Sequence, residues 1–532
     1  MSDDLLILAA VLIGVTVFAG RLLAGRLGIP EAIVLVALGA AAGFVPGLSD
    51  VRLSPDVILL VFLPPLIYSA AFFSSPRDIR AEARPIIALA VVMTLVTAFA
   101  IAGVVWLVLP ETGWPAAIAL GAAVAPTDAV ASAAVLKRVG APKRVVTLLE
   151  GESLINDGVA LTLFSLAVAA MSTPLTVAAG TVELAKVVVG GVVWGAGVAV
   201  GTAWFRRRLR DPNSQLVLSL MVPFVAYIPA DIAGFSGVLA AVVAGFYLGT
   251  RVEGMLPAKV RVTGQTVWRG LVMVLESVLF VLLGLQLHAV FEAVAGLSWV
   301  RLALGGAAVL GTAVAVRLAW EMLVPPLVRR VRPGGADAAG ALAPRERFVI
   351  GWCGMRGAIS LAIALSLPQT LDGDYFVDRN VLLYFAAVVV LGTLVGQGAT
   401  LPLVLRWTGL AGGEDTRREY AVAEEAMGRA ALSRLDELTA QGRVDERAAE
   451  RHRQVHKVQV RQARAVLGED EQARSRVSRH VRGDLFLRHE LARAQREALN
   501  RLYRDGAIGH ETLQAVRRQI DLREPPGHTG GA

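Results

Sequence analysis

The chain has 532 residues, of which 55% are hydrophobic and 18% charged, with a formal net charge of +8. That apolar share exceeds the roughly 45–50% of soluble domains, and it is gathered into runs of about 17–25 residues, the length that crosses a hydrocarbon core of roughly 30 Å. A soluble globular protein is therefore excluded. So is an internal disulfide, since Cys353 is the one cysteine. Six of the seven histidines lie beyond residue 413, which leaves the apolar part without a His or Cys set for a metal site.

Taken in chain order, the runs predict thirteen spans near 5–24, 32–48, 56–73, 85–109, 115–136, 145–171, 183–204, 215–230, 236–250, 267–290, 299–326, 347–368 and 381–406. The first carries Asp3 and Asp4 ahead of it and no basic stretch, so it reads as a retained span and not as a cleaved signal. Basic residues test the count. One set of alternate connections holds 22 Lys and Arg, among them Lys137, Arg144, Arg206, Arg269 and Arg347; the other holds 4, Arg52, Lys186, Arg301 and Arg379. The positive-inside rule then places the N-terminus outside and the C-terminal tail in the cytoplasm. Two regions follow: residues 1–410, a transmembrane transport region, and 411–532, an Arg- and Glu-rich tail read as soluble helices. The final "PPGHTGGA" reads as disordered.

Ionisable groups inside spans are costly and mark functional candidates. The third span carries Pro64 and Pro65, which on their own imply only a kink. In the fifth, "AAVAPTDAVASAA" (122–134) sets Pro126 beside Thr127 and Asp128; proline removes a helix donor and frees carbonyls in mid-membrane, the kind of interruption that lines cation sites. The sixth carries "EGESLINDG" (150–158). Asp157 lies 13 residues past Arg144, about 20 Å along a helix and so near the midplane. Asp128 on the preceding antiparallel span reaches the same depth. Ser153 and Asp157 share a face, and Glu150 falls on that stripe two turns toward the cytoplasm. Glu152 sits about 140° round the helix from Asp157, so it belongs to a different environment and needs a partner, for which Arg317 and Arg356 are both available. "WCGMRGAISLAIALSLP" (352–368) flanks Arg356 with Gly354 and Gly357. Spans 5 and 12 hold equivalent places in a scheme of six, one and six helices with inverted halves, by counting alone.

Together, FLPP (62–65), APTDAVA (125–131), EGESLINDG (150–158), SGVLAAVVAG (236–245), "VWRGLVMVLESVLFVLLGLQL" (267–287), GMRGAISLAIAL (354–365) and "LVGQGATLPLV" (394–404) resemble, in order and spacing, the monovalent cation:proton antiporter-1 family, the sodium/proton exchangers. REALNRLYRDGAI (496–508) is similar to tails of bacterial members. The resemblance implies an all-α fold with interrupted crossing helices, a homodimer in the bacterial inner membrane, and a part in pH homeostasis. It implies Asp157 as the essential carboxylate, preceded by Asn156 of an Asn-Asp pair that accompanies electroneutral exchange. Ser153, Thr127 and Asp128 would complete the ion shell. It pairs Glu152 with Arg317 and has Arg356 stabilise the interrupted helices. Glu276 either pairs with Arg356 or, with Glu150, serves cytoplasmic access.

The function so expected is a secondary antiporter exchanging Na⁺ or Li⁺ for H⁺ by competition at Asp157, with K⁺/H⁺ exchange as the alternative. No enzyme activity and no cofactor is expected beyond the transported ions, and no GxxxxGK[ST] motif is present for ATP. An intramembrane aspartyl protease also needs two midplane acids, but no GxGD occurs, and that reading leaves Glu152, Arg317 and Arg356 without a role.

Overall fold

The computed structural model describes residues 3–27, 29–44, 58–172, 177–209, 211–255, 258–294, 296–331, 342–371, 374–376, 378–410 and 414–468, and most of 490–520. The chain divides into two units, Met1–Gly412 and Gly413–Ala532. The terminal "PPGHTGGA" and parts of the second and third expected spans lie outside the described residues.

In the first unit the described residues of the expected ranges are largely helical, several ranges being divided among two or three helical elements. Among the described residues seven helices are long and apolar enough to cross a membrane, from Ala83–Val108 to Arg379–Thr408, and Glu31–Ala42, Leu59–Phe73 and Gly237–Arg251 are shorter apolar helices. Small residues let backbones approach closely. A Cβ at Gly39 would collide with the Val281 carbonyl, and one at Gly121 with that of Ala98. In this way helix Glu31–Ala42 seats on Ala258–Ala293, and Gly113–Val124 on Thr94–Val108.

Two of the ranges are interrupted. The fifth is helix Gly113–Val124, then a break at 125–128, then helix Ala129–Val139. The break falls where Pro126 withholds an N–H. The twelfth is Pro344–Trp352, then 353–357, then Ala358–Leu365. The two breaks meet: the Asp128 N–H donates to the Met355 carbonyl at 2.8 Å. Gly357, in extended backbone at the start of its helix, has its open side filled by the Asp128 carboxylate.

Among the described residues three π-helical turns were not foreseen: Ile58–Phe62, Ala88–Met93 and Gly392–Gln397. The widened turn is characteristic of functional regions, and two of these present side chains to the buried arginines described below. A two-residue antiparallel hairpin pairs Thr370 with Tyr375 and Leu371 with Asp374.

In the second unit, helices Glu414–Ala440 and Glu446–Leu467 form an antiparallel hairpin whose turn uses Gly442 at φ 65°, a conformation that costs glycine little. Arg453 spans the hairpin to Asp436 at 3.1 Å and also holds Glu446 and Glu450; Arg464 reaches Glu425 at 2.7 Å. The arginine hydrogen bonds hold the carboxyls of Glu425 and Glu450 below the usual carboxylate range.

Candidate ion-binding site

Helix Lys143–Ser172 carries its acids on two faces. On one, Glu152 is fully buried and forms a two-pronged pair with Arg317, Nη1 to Oε1 at 2.5 Å and Nη2 to Oε2 at 2.8 Å. The Thr127 hydroxyl donates to Glu152 Oε1 at 2.8 Å, and Arg317 Nε donates to the Ile350 carbonyl at 3.3 Å. Met93, at the end of one π-helical turn, places its sulfur 3.9 Å from Arg317 Nη1. Asn156 belongs to this face too. Its Nδ2 donates to the Thr127 carbonyl and hydroxyl at 3.3 and 3.2 Å, while its Oδ1 is sealed without a hydrogen bond.

The other face opens on a cavity of about 460 Å³, which Glu150, Ser153 and Asp157 line along one wall. Asp128, Thr127 and Glu276 complete its polar side, and Trp268, Phe73 and Leu66 form an apolar wall. Glu150, toward the mouth, pairs with Lys137 at 2.6 Å. Ser153 Oγ accepts from the Ala129 N–H at 3.4 Å, so the helix behind the fifth-span break leans on the Asp157 helix. The cavity ends against Gly357–Ser360. Past that level the packing is apolar. The void among Leu59, Phe62, Leu63 and Ala362 has no room for water, and the one by Gln286 and Leu365 measures about 10 Å³, at the lower limit for a single molecule.

Arg356 resolves the electrostatics of the crossing. Its Nε donates to the Val124 carbonyl at 3.1 Å, Nη1 to the Gly354 carbonyl, and Nη2 to the Ala313 carbonyl at 3.3 Å. The first two are orphan acceptors at the C-terminal ends of the two broken helices, where a cation is favoured. Its own N–H donates to Thr393 Oγ1 in the Gly392–Gln397 turn at 3.1 Å. This corrects one expectation: Arg356 serves carbonyls, so Glu276 is not its partner. Two further expectations shift. The Thr127 hydroxyl, assigned to the ion shell, is committed to Glu152, and Asn156 faces that same cluster and not the cavity.

Among the described residues no lysine or arginine pairs with Asp157; the charged group acting on it is another carboxylate, Asp128. No group of three or more His, Cys, Asp or Glu side chains among those residues is arranged to hold a metal ion. Sequence reasoning missed two acids. Glu31 pairs with Arg21 at 2.9 Å and accepts from Ser277 at 3.1 Å, next to Glu276; an acid at a helix start carries no such signal in the sequence. Glu321 is buried in the field of Arg317 and Arg347, and its place one turn past Arg317 was the signal that would have found it.

Interrupted helices whose breaks meet, an arginine bound to their ends and an acidic cavity beside them define a membrane ion transporter. Comparison with known proteins gives its family. The model of the sodium/hydrogen exchanger transmembrane domain matches residues 12–407. An uncharacterized Na⁺/H⁺ exchanger of Mycobacterium tuberculosis is 31% identical over 98% of this chain and 97% of its own. A sodium, potassium, lithium and rubidium/H⁺ antiporter of Bacillus pumilus is 31% identical over 71% of this chain and 58% of its own. The sodium proton antiporter MjNhaP1 of Methanocaldococcus jannaschii has the same fold, with a TM-score of 0.58 at 19% identity over 76% of this chain and all of that one. The chain belongs to the sodium/hydrogen exchanger family.

Proposed function

We infer that the protein exchanges Na⁺ or Li⁺ for H⁺ across the bacterial cytoplasmic membrane, with Asp157 as the group for which the two compete. One observation carries this reading. Of the two acids at the centre of one helix, Glu152 is neutralised by Arg317, whereas Asp157 faces a cavity of about 460 Å³ with only a second carboxylate for charged company. A lone carboxylate in a low-dielectric setting requires neutralisation, and a proton or an alkali cation supplies it equally in charge. Carrying the empty, ionised form through the dry packing beyond Ala358 costs several kcal/mol. Only the loaded forms cross, and the two fluxes are thereby obligatorily coupled.

The remaining roles follow from position. Ser153, Asp128 and the Thr127 backbone border the ion, and hard oxygen donors of this kind suit Na⁺ and Li⁺. Glu150 and Glu276 line the approach. Its mouth carries Lys137 and Arg269, on the side of the basic connections, so the conformation is open to the cytoplasm, with the N-terminus outside and the tail inside. Residues 1–410 form the transport region, working as a homodimer in pH homeostasis, and 411–532 the helical tail. Exchange is one for one, since Asn156 contributes no second charge. Potassium is the second reading, favoured by the substrate range in the name of the Bacillus pumilus relative.

The test is reconstitution into proteoliposomes with an internal pH dye, adding Na⁺, Li⁺, K⁺ or choline in turn. Alkalinisation or acidification on Na⁺ and Li⁺ but not choline, without current, is expected. Equal responses to all four ions would defeat the reading.

A further inference from the structure

Coupled exchange needs a second opening, on the side of the membrane away from the cavity mouth. Helix Ala258–Ala293 marks where it lies. Val272, Glu276 and Leu279 of this helix line the cavity at spacings of four and three, and the same spacings continue through Leu283 to Gln286. Residues so spaced form one stripe. The stripe is acidic at Glu276, apolar and buried at Leu279 and Leu283, and polar again at Gln286. Helix Ala358–Leu365 lines the same voids in the same order: Ala358 and Ile359 border the cavity, and Leu361, Ala362 and Leu365 lie beyond it. Its far end is held by Arg379, which donates to the Leu365 and Leu367 carbonyls at 2.8 and 2.9 Å. Arg379 belongs to the sparsely basic connections, so the seam between the two helices leads away from the Lys137 and Arg269 side.

Leu279 holds a place that no other described residue shares. It lines the cavity of about 460 Å³, the waterless void among Leu59, Phe62 and Leu63, and the void of about 10 Å³ beside Gln286. One side chain, 5% exposed, therefore separates all three spaces. From Leu279 to Gln286 the helix rises about 10 Å, and over that length the seam is hydrocarbon. A constriction of that kind excludes water and with it ions. A polar side chain inside a span faces a partner or a wet path, and Gln286 stands where the hydrocarbon ends. The opposing wall includes the small residues Gly357, Ala358 and Ala362, which let helices move past one another at close range.

Given exchange at Asp157, on which this assignment rests, we propose that Leu279 is the gate residue between the cytoplasmic cavity and an outward passage along the seam of helices Ala258–Ala293 and Ala358–Leu365. Gln286 is the first polar side chain beyond it. With the seam closed, Leu279 seals the inner end of the cavity. Parting of the two helices past Leu283 and Leu361 wets the seam from the far side, and Leu279 then keeps the two aqueous spaces from joining.

The test uses the full-length chain in proteoliposomes. Leu279→Ala should raise proton leak down an imposed pH gradient, with no transported cation added, by about ten-fold or more, the factor that a modest loss of barrier height gives. Leu285→Ala removes an equally buried leucine of the same helix that lines none of the three voids. Its melting temperature should fall while its leak stays at the wild-type level. A wild-type leak in Leu279→Ala, or an equal rise in both variants, would overturn the gate. Accessibility gives a second reading. Cys353 is the single cysteine and is buried, so an introduced cysteine reports above a low background. Leu283→Cys and Gln286→Cys should react with a charged, membrane-impermeant thiol reagent added on the side opposite the tail, faster when a Na⁺ or Li⁺ gradient drives turnover. Acceleration by K⁺ alone would correct the cation of the exchange reading and still support the gate. No reaction of Leu283→Cys from that side, in protein that exchanges, would place the passage elsewhere and overturn the proposal, even should Leu279→Ala fail to fold.

Discussion

Removing one member of the Glu152–Arg317 pair should cost far more than removing both. Glu152→Ala strips the two guanidinium–carboxylate bonds at 2.5 and 2.8 Å and the Thr127 acceptor at 2.8 Å, leaving a cation that is wholly buried. Breaking a buried pair in this way costs about 3–5 kcal/mol, whereas replacing both ions with apolar side chains of similar volume is often near neutral. The loss in Glu152→Ala and in Arg317→Ala should therefore each be of that size. Glu152→Leu with Arg317→Met should recover most of it, a coupling of about 3 kcal/mol by double-mutant cycle. Thermal unfolding of the four proteins in one detergent reads the effect, and flux per folded molecule shows whether the order among Na⁺, Li⁺ and K⁺ is kept. Additive losses, or normal stability with a changed ion order, would refute the structural role of the pair.

Arg356→Lys should lower both stability and exchange, because an ammonium cannot span the Val124, Gly354 and Ala313 carbonyls at once; this is read by melting temperature and flux together. Gly357→Val places a side chain where the Asp128 carboxylate sits, so exchange should fall by about ten-fold or more, the scale of a misplaced site group, in protein that still inserts. In the tail, Glu425 and Glu450 titrate below their ordinary value of 4.5. A depressed acid stabilises fully above its unfolded value and loses that contribution as pH falls through the folded one. Amide hydrogen exchange over 414–467 should then stay flat from pH 7 to 5 and, after correction for intrinsic rates, rise only below about 4.5. A rise already between pH 7 and 6 would refute the assignment to these two carboxyls.

Much of the membrane region was legible because its signals are local. Span length fixes helices, Pro126 fixes one break, and the five-residue offset of Glu152 from Asp157 separates a paired acid from one that faces a cavity. What escaped depends on neighbours distant in sequence. Nothing in the residues alone allots Arg317 to Glu152 and Arg356 to carbonyls: both are mid-span arginines, and the family resemblance, not spacing, made the assignment. The family resemblance placed Thr127 in the ion shell and Asn156 beside the ion-binding Asp157, yet a helical step of 100° turns Asn156 away from its neighbour's face. The π-helical turns carry no proline or glycine rule that would predict Ala88–Met93. Arg206 resembles any basic residue at a helix end until its burial is seen.

The most direct measurement is proton flux through reconstituted Asp157→Asn. The substitution keeps the side chain's size and removes the charge for which proton and cation compete. With insertion and melting behaviour near wild type, no Na⁺- or Li⁺-dependent pH change should appear from about pH 6 to about pH 9, which covers the physiological working span. Cation-dependent proton flux surviving in that variant would contradict competition at Asp157 as the basis of exchange.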